Sequence, residues 1–141
     1  MAAITGPSGS AGDASSVKSI VENTTAVHTF TADESVTWSV NGDDATKFSI
    51  DSTGALVFQS APDFENPNDI GDTANNNTYV VIVRATDAAN NTSEQTLTVT
   101  VSDDDEIAPK ITGPSGSAGD ANSVKSIVEN TTAVHTFTAD E

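Results

Sequence analysis

Residues 4–34 return at 111–141 with one difference: Ser15 becomes Asn122. The offset is 111 − 4 = 107 residues, a fixed period of domain size, so the chain reads as one unit of a tandem array followed by the opening of the next. This repetition limits the fold more than any other feature. Each unit has to close its own core within about 100 residues, and the seam between copies has to be written into the sequence. That seam is Asp103-Asp104-Asp105-Glu106-Ile107-Ala108-Pro109, four consecutive acids closed by a proline. The expected division is a domain over 1–102, an acidic linker over 103–110 and a truncated next repeat over 111–141. Met1-Ala2-Ala3 stands where Ala108-Pro109-Lys110 stand before the second copy and reads as an added start, with any export signal elsewhere in the parent chain.

Helical periodicity is absent. Period-two alternation of β-branched and aromatic residues recurs at 16–21, 26–32, 35–40, 47–50, 55–59, 78–86 and 94–101. It places Val36, Trp38 and Val40 on one face, and Phe48, Ile50, Leu56 and Phe58 inward across the turn Asp51-Ser52-Thr53-Gly54. Tyr79, Val81, Val83 and Ala85 form another inward line, as do Leu97, Val99 and Val101. The Gly/Ser/Pro-rich stretch 5–12 reads as an irregular lead-in, and 60–77 as a long polar loop. Seven short strands in such a length predict an all-β chain folded as an antiparallel β-sandwich.

Charge narrows the partners. With 21 Asp and Glu against 5 Lys and Arg, the formal net charge is −16, which disfavours nucleic acid and anionic membranes and favours cations. No cysteine is present, so neither disulfides nor thiol chemistry is available. No run of about 18 apolar residues predicts membrane insertion.

If each strand reverses the one before it, the acids sort by end. Glu22, Asp63, Glu65 and the run Asp103, Asp104, Asp105 and Glu106 fall at one end, and Asp33 and Asp87 at the other. Clustered carboxylates repel one another unless a cation compensates. A set of hard oxygen donors without His or Cys suits calcium, which takes about 6–8 oxygens in irregular geometry. Asp140, the equivalent of Asp33, is expected to reach the linker from the second copy, so that the ions fix the angle between neighbouring repeats.

At this point the residues resemble a known family. Val21-Glu22-Asn23, Pro62-Asp63-Phe64-Glu65, Val83-Arg84-Ala85-Thr86-Asp87 and 103–109 are similar, in that order, to the motifs of a cadherin repeat of the kind found in giant RTX-type bacterial surface adhesins. The resemblance covers about residues 19–109. It implies a Greek-key sandwich with calcium at each interdomain linker. Ligation is thereby carried onto the side chains of Glu22, Asp63, Glu65, Asp103, Asp105 and Glu106, the carbonyls of Asp104 and Ile107, and Asp140 from the next unit. Ile107 replaces a family asparagine and offers only its carbonyl, while Asp140-Glu141 stands where the family has Asp-x-Asp. Asp33 and Asp87, without a preceding linker, are expected to bind weakly or not at all.

The function this implies is a calcium-stiffened extender repeat of a bacterial cell-surface adhesin, outside the cell, with neighbouring repeats as its partners. The alternative is a glycan- or protein-binding adhesion module that grips through exposed loops such as 66–77. No catalytic Ser/His/Asp set or phosphate loop assembles, so no enzyme activity is expected. His28 and His135 read as edge histidines packed beside Phe30 and Phe137, and Trp38 and Tyr79 as core. Asn-x-Ser/Thr sites at Asn23, Asn90, Asn91 and Asn130 are common by chance in such a composition and carry little weight. Residues 111–141 are expected to form two strands, and could enter the slot of residues 4–34 in another copy of the chain.

Overall fold

β-Branched and aromatic side chains pack well on a pleated surface, and the alternating segments are strands in the computed structural model. Residues 1–140 are described, in two units, Met1–Asp104 and Asp105–Glu141. The first unit runs β1 (Ile4–Thr5), β2 (Ser15–Val21), β3 (Ala26–Thr29), β4 (Thr31–Ala32), β5 (Thr37–Asn41), β6 (Phe48–Ile50), β7 (Ala55–Phe58), β8 (Thr78–Thr86) and β9 (Thr92–Ser102). A four-stranded sheet ordered β2-β9-β8-β5 and a three-stranded sheet ordered β3-β7-β6 make a sandwich of seven strands, with β1 paired to β4 at its edge.

All pairings in this unit are antiparallel except β2 with β9, which run side by side with Val21 beside Ser102. First and last strands therefore leave the sandwich at the same end. The expected strand 26–32 is two strands with different partners, β3 on β7 and β4 on β1. The break falls at Phe30, whose ring is fully buried and whose N–H donates to the Gly54 carbonyl at 2.8 Å. At φ +87°, Gly54 leaves no room for a side chain, because a Cβ there would lie 2.3 Å from the Phe30 carbonyl oxygen. β1 runs into the first residue of the lead-in expected to be irregular, Thr5; two residues are too few to show alternation.

The core lies between the sheets, where the rings of Phe48, Phe58 and Tyr79 pack with centroids 4.3 to 6.1 Å apart. Trp38, expected in the core, is half-buried, packed against it and tilted against Phe30. His28 meets Phe30 edge-on at 5.2 Å, and its desolvation pushes its pKa below the ordinary value. Gln95 continues the inward line of Leu97, Val99 and Val101 and is fully buried. It accepts a bond from the Ser16 hydroxyl and donates to the Asp13 carbonyl, both at 2.9 Å, which ties the lead-in to β9.

In the second unit the same sequence reaches a different state. Among its described residues only β10 (Ile111–Thr112) and β11 (Thr138–Ala139) form, paired as β1 and β4 are. The local bonds repeat: Val17 N–H to Ser8 Oγ and Val124 N–H to Ser115 Oγ are both 2.8 Å. The two strands expected in this segment, the counterparts of 16–21 and 26–32, do not form as such, because β2 exists only against β9 and β3 only against β7. Phe137 is 60% exposed whereas its twin Phe30 is 0% exposed.

Phe30→Ala is therefore expected to cost about 3–5 kcal/mol of unfolding free energy, and Phe137→Ala less than about 0.5 kcal/mol. Urea denaturation of both variants checks this; equal losses would contradict the open face of the second unit.

Candidate metal centre

Because β2 and β9 run parallel, Glu22 and Asp103 emerge beside each other, and the Glu22 N–H donates to the Ser102 carbonyl at 3.0 Å. The chain after β7 reaches the same end, where the Asn23 N–H donates to the Pro62 carbonyl at 3.0 Å. Carboxylate oxygens of Glu22, Asp63 and Glu65 consequently lie within 4.8 Å of one another.

The three carboxylates differ in setting. Asp63 and Glu65 are exposed, whereas Glu22 is only 2% exposed. Glu22 Oε2 accepts the Phe64 N–H at 2.7 Å and Oε1 accepts the Asp104 N–H at 3.0 Å. These bonds, Phe64 first and Asp104 next, hold the Glu22 carboxyl below its ordinary range; burial opposes them and a contact with the Asp103 side chain adds a smaller lowering. Asp63 accepts the Asn66 N–H at 3.0 Å, closing a turn after the acid pair.

The other expected ligands have different surroundings. Asp105 and Glu106 belong to the second unit and are exposed, and Asp105 accepts the N–H of Ile107 at 3.1 Å. Asp33 accepts the Ala3 N–H and Asp140 the Lys110 N–H, each at 2.7 Å, so both fasten the segment ahead of the short edge strand. Glu141, its neighbour in the expected motif, lies outside the described residues. Asp87 closes the turn between β8 and β9 by accepting the N–H groups of Ala89 and Asn91 and the Asn91 side-chain amide. These bonds, the Asn91 side chain first, lower its pKa. Among the described residues, neither Asp33 nor Asp87 joins a group of three potential ligands.

Two buried acids were not singled out from the sequence. Asp44 is fully buried and accepts N–H groups from Ile70, Gly71 and Val80 at 2.6, 3.2 and 2.8 Å. Asp69, 2% exposed, accepts those of Asn76 and Asn77 at 3.1 and 3.0 Å. Adjacent Asp43 is exposed, and no local signal separates it from Asp44. The asparagine-rich end of the loop was a usable signal, since Asn75 and Asn77 both take positive φ, which asparagine tolerates.

A sandwich of this kind is also found in known structures. The fold is cadherin-like. The chain matches protocadherin gamma B2 extracellular cadherin domains 3–6 with a TM-score of 0.54 and 19% identity, over 71% of this chain and 23% of that one. It matches mouse cadherin-23 EC22–24 with a TM-score of 0.51 and 22% identity, over 64% and 29%. Drosophila N-cadherin EC1–3 gives a TM-score of 0.51 and 25% identity, over 64% and 32%. The chain thus spans a third or less of each of these structures. No protein-family model matches the sequence, and no curated protein matches it.

The donor set fits a hard divalent cation. It is all oxygen, its buried member is pre-oriented by two peptide N–H groups, and its exposed members leave room for further oxygens.

Since the folded-state pKa of Glu22 is depressed, its contribution to stability is complete above the ordinary value of 4.5 and is lost as pH falls through the lower folded value. The metal-free melting temperature is expected to fall over that acid range, and Glu22→Gln to flatten the fall. An unchanged acid profile in Glu22→Gln would contradict the assignment.

Proposed function

We propose that this chain is a calcium-stiffened spacer repeat of a bacterial cell-surface adhesin, working outside the cell in a tandem array. The observation that carries the reading is the meeting of Glu22, Asp63 and Glu65 where the strands leave for the linker. The run Asp103, Asp104, Asp105 and Glu106 follows directly on β9, whose exit is tied to Glu22 by the Asp104 N–H, and is proposed to add oxygen donors of the linker to an ion held by the three carboxylates. Asp140 of the next repeat is the proposed ligand from the other side, and Asp33 and Asp87 are the corresponding donors for a preceding linker.

Mechanically, an ion bound at the seam lowers the energy of one orientation between repeats and raises the cost of bending. At tenfold excess over Kd, one site stabilises the bound state by about 1.4 kcal/mol. Near-identity between 4–34 and 111–141 favours a spacer, because a stalk gains from repetition and a recognition site does not. Loop 66–77, the natural place for a binding module, is bound down by Asp44 and Asp69. No helix among the described residues is long and apolar enough to cross a membrane.

Ile111, Ile127, Val134 and Phe137 are exposed, whereas their counterparts Ile4, Ile20, Val27 and Phe30 are buried by the rest of the repeat in the first unit. We propose the remainder of their own repeat as their usual cover and a second copy of this chain as a substitute, through exchange of 111–141 for 4–34. Exchange replaces one segment by a near-identical one, so its net energy is small and only concentration drives it. Light scattering is expected to show a dimer fraction that grows with concentration and vanishes in a chain ending at Lys110; a monomer at every concentration would exclude exchange.

Calcium is expected to raise the melting temperature of the chain, chelator to reverse this, and Asp63→Asn with Glu65→Gln to abolish it. Small-angle scattering of a two-repeat chain should show extension that depends on calcium. A melting temperature and an extension that ignore the metal would remove the proposal.

A further inference from the structure

The segment that carries Asp63 and Glu65 lies in no strand, so no ladder fixes its direction. Two bonds do so instead. The N–H of Phe64, in the peptide after Asp63, donates to Glu22 Oε2 at 2.7 Å. The carbonyl of Phe64, in the peptide before Glu65, accepts the side-chain amide of Asn77 at 2.9 Å. One peptide plane is thus held by a member of the acid cluster, and the other by a residue outside it.

Asn77 is itself held on each side. Its N–H donates to the buried carboxylate of Asp69 at 3.0 Å, and its carbonyl accepts the N–H of Val101 in β9 at 2.9 Å. Its φ of 62° lies in the left-handed region, which glycine, asparagine and aspartate tolerate best. Of these, asparagine alone supplies a side-chain donor. The same side chain keeps its Oδ1 buried with no hydrogen bond from any protein group, so the amide serves the Phe64 carbonyl and little else.

We infer that Asn77 is a positioning residue of the cation site: it carries the position of β9 to the Phe64–Glu65 peptide and so sets Glu65 against Glu22 and Asp63. The inference rests on the calcium reading of that cluster. Asn77 need not touch the ion; it acts through the backbone from which a ligand projects.

Asn77→Gly isolates this role, because glycine accepts the positive φ and keeps both main-chain bonds while deleting the amide. Calcium titration calorimetry of the full chain is expected to show Kd raised about tenfold or more in Asn77→Gly. Asn77→Ala, which also lacks the amide but whose Cβ is strained at a positive φ, is expected to show the same rise together with a lower melting temperature. Asp51→Ala removes a turn carboxylate at the other end of the sandwich, and is expected to lower the melting temperature while leaving Kd unchanged. That contrast separates positioning from general loss of stability. Saturable binding by the unaltered chain that a folded Asn77 variant matches within twofold would overturn the assignment of Asn77 alone. Absence of binding by the unaltered chain would overturn the calcium reading and the assignment with it.

Discussion

Glu22 takes N–H groups from Phe64 and from Asp104, residues 42 and 82 positions away in the chain. A nearly buried carboxylate cannot be left without partners, since the desolvation of an unpaired charge is not recovered elsewhere. The end of β2, the loop after β7 and the exit of β9 must therefore come together whenever the sandwich forms. The parallel pairing of β2 with β9 makes this possible, and the acid cluster is its direct result.

The molecule manages its negative charge largely with backbone. Asp44 and Asp69 are buried against peptide N–H groups, not against Lys or Arg, and Asp51 and Asp87 close turns in the same way. At Asp51 and Asp87 such bonds lower the pKa, so that the ionised form is favoured without a counter-cation. Asp63 also closes a turn, but it and Glu65 are exposed beside a third carboxylate. The proposed cation relieves the repulsion that is left there.

Strands longer than about four residues were legible because alternation needs several turns of its period to register: β8 has the bounds read from sequence, and the inward lines of β8 and β9 are the core. Two-residue strands such as β1 and β4 were not legible, and Gln95 was not, because a polar residue in an inward position gives no alternating signal. Glu22, Asp63 and Glu65 could be placed together from strand direction alone, whereas Asn77 could not, since its role depends on a loop path set by buried acids. The copies at 4–34 and 111–140 show the limit of local sequence: the short edge pairing forms in both, but the long strand forms only where β9 is present to receive it.

The account turns on whether an ion occupies the place where the strands leave the sandwich. Anomalous diffraction from crystals of this chain grown with calcium tests it most directly. The expected result is a calcium peak ligated by oxygens of Glu22, Asp63 and Glu65 at about 2.3–2.6 Å. Well-ordered carboxylates turned apart, with no peak between them, would contradict it.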